Sequence, residues 1–126
     1  MNDESILKTI KKLLGLANEY TAFDTDIIVH INTVISNLAQ MGVGPENGLI
    51  ITDSTKKWKD YIPTEGLLQP IISYIYIKVR LLFDPPANGN LLESLNKNAQ
   101  ELEFRLYSEG LKPVIAAEKA AADAEE

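Results

Sequence analysis

Residues 67–86 read LLQPIISYIYIKVRLLFDPP and predict a helix that is apolar on two sides. At 100° per residue, the broader apolar arc contains Leu68, Ile71, Ile72, Ile75, Tyr76, Val79, Leu82 and Phe83. A second arc, beyond Lys78, contains Leu67, Tyr74, Ile77 and Leu81. A helix that is apolar nearly all round is buried on more than one side. We therefore expect it at the centre of a bundle, against a neighbouring subunit, or both.

Prolines set the limits of this central helix. Pro70 is tolerated only in the first turn, so the regular helix is predicted to begin near Gln69. It is predicted to end at Asp84-Pro85-Pro86, because the residue before a proline disfavours the α conformation and proline cannot continue the hydrogen-bond ladder.

Three further helices are predicted from apolar residues that recur at helical spacing. They span residues 3–15, 24–41 and about 91–108. Asp24 and Asn90 are the expected N-caps, while Gly15 and Gly42 are the expected stops. The sequence thus predicts an all-α, four-helix bundle-like domain over residues 1–111.

Two segments are not part of these predicted helices. Residues 43–66 form a long irregular loop between the second and third predicted helices, and a loop of this length is expected to be functional, ordered by its own packing, or both. Trp58 is interpreted as the anchor of this loop on the core, with an exposed partner contact as the alternative. Residues 112–126 are rich in alanine and acids and have little to bury, so we expect a C-terminal tail that is mobile unless docked on a partner.

Composition excludes several kinds of site. The 126 residues contain no cysteine, which excludes disulfides and thiolate metal sites. Lys78 and Arg80 interrupt the longest apolar run, so no membrane-spanning helix is expected, and the first residues do not resemble a signal peptide. The expectation is a protein made in the cytoplasm. The net charge of −6, without a basic stripe, argues against tight wrapping of nucleic acid.

Few residues suggest catalytic chemistry. Lys8, Lys11 and Lys12 are interpreted as a solvated face near a helix C-terminus, with a phosphate-binding patch as the alternative. His30 is the only histidine and lacks partners for a triad or a metal site; a pH switch is the alternative to a structural role.

The acidic residues are equally uninformative about catalysis. Asp24 and Asp26 are explained by helix capping and the helix dipole, with metal binding as the alternative. Asp53 and Asp60 are loop carboxylates without a visible partner. No phosphate-binding or dinucleotide glycine pattern occurs. We therefore expect no catalytic residue, no cofactor and no metal ion.

Three segments together resemble a known family. They are FDTDIIVHINTVISNLAQMGVGP at 23–45, SYIYIKVRLLFDPP at 73–86 and NLLESLNKNAQELEFRLY at 90–107. In this order and spacing they resemble the small head–tail connector (adaptor) proteins of long-tailed bacteriophages. The resemblance extends from about residue 3 to residue 108 and rests on the combination and order of the segments.

The resemblance implies a structural protein of the virion neck. Such proteins form a ring under the portal after DNA packaging, and the resemblance implies that the ring matches the twelve-fold symmetry of the portal. The ring extends the channel through which DNA leaves, without sequence-specific binding. It also offers a platform to the head-closure (stopper) protein and the tail.

A ring subunit needs two different apolar surfaces, because a head-to-tail cyclic interface is heterologous. The candidate subunit-interface residues are Tyr74, Ile77, Leu81 and Phe104, the last of which points away from the apolar stripe of its helix. The family's C-terminal segment reaches the portal, which makes Val114, Ile115 and Glu118 the candidate portal contacts. Here the tail differs from the family pattern because it is alanine-rich and acidic.

Two other functions remain open at this point. The chain is alternatively a small helical protein-interaction module or regulator that acts as a dimer. A small enzyme that uses the loop carboxylates is the third hypothesis.

Overall fold

The computed structural model describes residues 3–45, 48–62 and 65–125, and for residues 108–125 it describes the backbone alone. Its elements are α1 (Ile6–Leu13), α2 (Asp24–Gln40), α3 (Trp58–Tyr61), a 3-10 turn (Glu65–Leu67), α4 (Leu68–Phe83) and α5 (Gly89–Glu125). Within these residues there is no strand beyond one isolated bridge between Ser5 and Lys57. The predicted all-α fold is confirmed.

Helices α1 and α2 end in the same way. After α2, Gly42 has a positive φ of 85°, its N–H donates to the Ala39 carbonyl, and the next N–H, that of Val43, donates to the Leu38 carbonyl. This is the Schellman arrangement, in which the N–H groups of the glycine and of the following residue satisfy two of the last carbonyls of the helix, and that following apolar residue packs back. Gly15 ends α1 with the equivalent bonds. Both predicted glycine stops are confirmed.

Helix α4 lies at the centre, as predicted. One side of it, which includes Ile71, Ile75 and Val79, packs into the main core with α1 and α2. The other side packs against α5, where Ile77 is buried in a small apolar cluster with Leu95 and Ala99. Two sides are therefore buried within a single chain. Leu82 differs from the expectation, since it is 52% exposed near the end of the helix.

The loop between α2 and α4 is ordered by its contacts with α1. Trp58 is fully buried and its indole Nε1 donates to Thr9 Oγ1 over 3.0 Å. Backbone bonds run from the Ile6 N–H to the Lys56 carbonyl and from the Trp58 N–H to the Glu4 carbonyl. The predicted role of Trp58 as an anchor of the loop is confirmed.

Several helix boundaries differ from the sequence-based expectation. The cap of α5 is Asn88 rather than Asn90, because Asn88 Oδ1 accepts from the N–H groups of residues 90 and 91. The helix does not end near residue 108 but continues through Gly110 and Pro113 to Glu125. Proline removes only one hydrogen bond of the ladder, and the alanines that follow it have the highest helix propensity. That residues 112–126 behave as a separate tail stays a prediction.

Candidate interaction surfaces

The second apolar arc of α4 is covered by α5. Tyr74 is buried and its hydroxyl donates to Glu103 Oε2 over 3.3 Å. Ile77 is buried with Leu95, and Leu81 is partly buried against the same cluster. Burial, together with the Glu103 carboxylate, raises the pKa of Tyr74 to about 12. Packing within one chain thus accounts for much of the apolar character that suggested an interface at these residues.

Phe104 is the candidate that presents the most surface. It is 73% exposed and lies on the side of α5 opposite Leu95, Ala99 and Leu106, which face α4. A shallow groove runs along each side of its ring. One groove is lined by Lys97, Gln100, Glu101 and Arg105, and the other by Met41, Gln100, Glu103 and Tyr107. Phe104 is therefore a protruding apolar ridge on the outer face of α5.

A second surface lies on the outer face of α2, and the sequence reasoning did not identify it. Val29 is 55% exposed and Ile50 is 72% exposed, and they border a groove of about 470 Å³. The remaining lining residues are uncharged: Asn32, Thr33, Ser36, Asn37, Gly48 and Leu49. A helical wheel could have identified Val29, since it lies directly opposite the apolar stripe of α2.

Asn32 shapes this groove by holding the loop segment in place. Its Nδ2 donates to the Ile51 carbonyl over 3.0 Å, and its Oδ1 accepts from the Ile51 N–H over 2.9 Å. The side chain thus satisfies both backbone groups of a buried residue, as a neighbouring strand would. Ile51 points into the core, and Ile50 is consequently turned outward.

Lys11 does not lie on a solvated face, so the interpretation of the three lysines was wrong for this one. It is 2% exposed, and its Nζ lies 2.9 Å from Asp24 Oδ1. The same ammonium donates to the carbonyls of Asn18 and Tyr20 over 3.0 and 2.8 Å. A buried ammonium requires this set of partners because its desolvation is costly. The expectation that Asp24 is an N-cap is also wrong, since its carboxylate pairs with Lys11 and Phe23 holds the cap position.

The loop carboxylates are used in local turns. Asp53 Oδ1 accepts from the N–H and hydroxyl of Thr55, and these hydrogen bonds lower the pKa of Asp53. Asp60 Oδ2 accepts from the Lys57 N–H at the start of α3. Within the described part of the chain, no three His, Cys, Asp or Glu side chains are grouped closely enough to hold a metal ion. His30 is half-buried on α2.

The candidate portal contacts belong to the C-terminal third of α5. Val114, Ile115 and Glu118 lie within its helical backbone, and their side chains are outside the described residues. None of the helices in the described residues has the length and apolarity that a membrane crossing needs.

Comparison with models of protein families gives a match to this chain. The model of a family described as phage connector protein matches residues 6–110, which is most of the sequence. The chain belongs to the phage connector protein family. Neither the curated proteins nor the solved structures include a significant match to it. The resemblance stated from the three sequence segments is thereby confirmed.

Membership of the phage connector family gives the chain a head–tail connector role and implies a place at the neck of the virion. The family is not known for enzymatic activity. The matched region covers α1 to α4 and the part of α5 that packs against α4. The core described above is therefore the core of a phage connector.

Proposed function

We propose that this connector assembles as a ring of identical subunits under the portal and extends the DNA channel toward the tail. The observation that carries the proposal is the family match over residues 6–110, joined with an exposed apolar ridge at Phe104. A large aromatic side chain that is 73% exposed offers the kind of anchor that protein interfaces favour. Tyr74, Ile77 and Leu81 of α4 contact the other face of α5 and hold this helix against the core.

The partners follow from this position. The ring is proposed to match the twelve-fold symmetry of the portal, to receive the portal on one side and to present the head-closure protein or tail with a platform on the other. The C-terminal third of α5, with Val114, Ile115 and Glu118, is the proposed portal contact. The net charge of −6 suits a conduit that repels phosphates, so that DNA passes through it without being bound.

Mass measurement of the full-length connector, alone and with portal rings of the same phage, tests this function. We expect subunits that associate weakly alone and form closed rings on the portal. Phe104→Glu should keep the parent melting temperature, because the side chain lies in solvent, but should lose ring formation. Leu91→Glu is the matched control, because Leu91 is also exposed on α5 but lies about three and a half turns before Phe104, on a different face of the helix.

An obligate dimer without affinity for portal would contradict the proposal and favour a small interaction module. Rings formed equally well by Phe104→Glu and by the parent would instead retain the connector function and remove Phe104 from its interface.

A further inference from the structure

In a ring, each subunit meets the previous copy and the next copy through different surfaces, which lie nearly back to back. The described part of this chain offers such a pair. Helix α4 packs against α2 on one side and against α5 on the other. Val29 lies on the side of α2 that faces away from α4, and Phe104 lies on the side of α5 that faces away from α4. The groove and the ridge therefore face away from α4 in different directions, although the C-terminal end of α2, at Met41, comes close to the ridge.

We infer that Phe104 of one connector subunit inserts into the groove bordered by Val29 and Ile50 of the next subunit, and that repetition of this contact closes the ring. This inference rests on the proposed ring and names the surfaces that form its subunit interface. The occupant is a second copy of this chain, because the two complementary features occur on the same chain and face in different directions.

The shapes of the two surfaces are complementary. The groove of about 470 Å³ has exposed apolar side chains at Val29 and Ile50, and its lining also includes hydroxyl and amide groups. Phe104 supplies an apolar ring, and Tyr107, 49% exposed one turn later on the same helix, supplies a phenol. An aromatic pair of this kind fills an amphipathic groove, since the ring buries apolar area while the hydroxyl finds a polar partner.

The charges near the two surfaces are also complementary. The described residues that line the groove are uncharged; along the chain, Asp26 lies one turn before Val29 on α2 and Asp53 lies two residues after Ile51, and both are exposed. In the groove on one side of Phe104, Lys97 and Arg105 outnumber the one acid, Glu101, whereas the groove on the other side contains Glu103. The first of these two sides is therefore the one that would face the carboxylates. Lys97 already contacts Glu93 over 3.4 Å, but both are exposed and such a pair is worth little. Opposite charges at the rim of an interface favour one docking register over others.

Cysteine pairs test this contact directly, because the parent chain has no cysteine. The double variant Ser36→Cys with Gln100→Cys keeps Phe104 and Ile50 in place, because Ser36 is an exposed lining residue of the α2 groove and Gln100 lines the grooves beside Phe104. Treated with a short bifunctional thiol crosslinker on portal rings of the same phage, it should give a ladder of dimers, trimers and larger species under denaturing conditions. A mixture of the two single variants should stop at dimers, because each subunit then carries only one reactive position. Leu82→Cys with Gln100→Cys is the matched control and should give no ladder, although Leu82 is also about half exposed.

Charge reversal provides a second measurement that needs no crosslinker. Arg105→Glu should raise the concentration needed for ring assembly by roughly tenfold, because like charges then face each other. Asp26→Arg in the same chain should restore assembly to near the parent level. A structural defect caused by Arg105→Glu would not be rescued by a change on another helix.

The outcomes separate this contact from the ring itself. Rings seen by electron microscopy without a ladder would overturn the pairing and leave the ring intact. Dimers from Gln100→Cys alone would overturn it in favour of a two-fold contact between equivalent α5 faces. If the parent connector formed no ring on the portal at all, both the pairing and the proposed function would fail.

Discussion

Lys11 is a buried lysine that the residue pattern alone assigns to the surface. Its place in the last turn of α1, among other lysines, is typical of solvated cations near a helix C-terminus. The structure instead uses its ammonium to hold the backbone of Asn18 and Tyr20 and the Asp24 carboxylate. A sequence pattern shows where the charged residues are, but it does not show which charged side chain becomes buried. For Lys11 the partners are backbone carbonyls of an irregular loop, and these leave no pattern in the sequence.

The Lys11 cluster gives a prediction about stability. Lys11→Met keeps the aliphatic stem but leaves two carbonyls and a carboxylate without their donor, so the free energy of unfolding should fall by about 2–4 kcal/mol. Lys12→Met, one residue later and exposed, should change it little. Urea unfolding of both variants checks this. Equal midpoints for the two variants would show that Lys11 contributes nothing to the loop.

Tyrosine burial predicts a loss of stability at alkaline pH. In the unfolded chain a tyrosine ionises near pH 10, whereas burial raises the pKa of Tyr74 to about 12 in the folded chain and also raises that of Tyr61. Below about pH 10 the folded and unfolded chains both keep the tyrosine protons, so the buried tyrosines make their full contribution to the free energy of unfolding. From about pH 10 to 12 the unfolded state binds fewer protons than the folded state, so the free energy of unfolding falls as the pH rises. Urea midpoints measured across this range should decline, and Tyr74→Phe should make the decline shallower. A decline as steep as that of the parent would exclude Tyr74 as a contributor.

At the scale of elements, the sequence predicted the type and centre of each long helix better than its ends. The 3.6-residue apolar pattern was sufficient to predict α4, and the glycines were sufficient to predict where α1 and α2 end. Both signals are local, because they depend on one helix face or on one residue with a positive φ. The continuation of α5 was not predicted, since Gly110 and Pro113 are both typical helix-ending residues. The wheel also placed Leu82 with Ile75, although Leu82 falls near the end of α4 and about half of its surface is exposed.

This difference within α4 defines a matched pair of variants. Ile75→Asp places a carboxylate at a fully buried position without a partner and should cost several kcal/mol, enough to unfold a domain of ordinary stability. Leu82→Asp makes the same chemical change at a half-exposed position and should leave the chain folded. Circular dichroism melting distinguishes them. A cooperative transition for Ile75→Asp close to that of the parent would show that this residue does not face the core.

For the whole molecule, the length of α5 is the feature with the clearest functional expectation. At 1.5 Å per residue its 37 residues span about 55 Å, while the 16 residues of α4 span about 24 Å. The described α5 residues that pack into the core lie between Leu95 and Leu106. The helix is therefore long enough to extend beyond the helix that supports it.

Deletion of residues 112–126 should consequently separate docking from folding. The melting temperature of the connector should barely change, because the deleted residues lie after the last described core contact. Binding to portal rings should weaken sharply if this segment supplies the contact. Retained binding by the truncated chain, measured by co-sedimentation with portal, would assign the portal contact to another surface.

Of the two candidate interaction surfaces, only one was predicted from the sequence. Phe104 was found because it stands apart from the stripe of its own helix, a property of one element. The groove at Val29 and Ile50 was missed because it is built by two segments that meet only through the Asn32 contact with Ile51. A surface shared by distant segments has no local signature in a single sequence.

The bonds between α1 and the loop have a consequence for the order of events during synthesis. The N–H of Ile6 and the carbonyl of Glu4 find their partners at residues 56 and 58, and Thr9 receives the indole of Trp58. Helix α1 thus cannot complete its contacts until the chain has grown past residue 58. Such long-range closure slows folding relative to purely local helix pairing. As the only tryptophan, Trp58 would report this step through its own fluorescence, as it passes from water into the core.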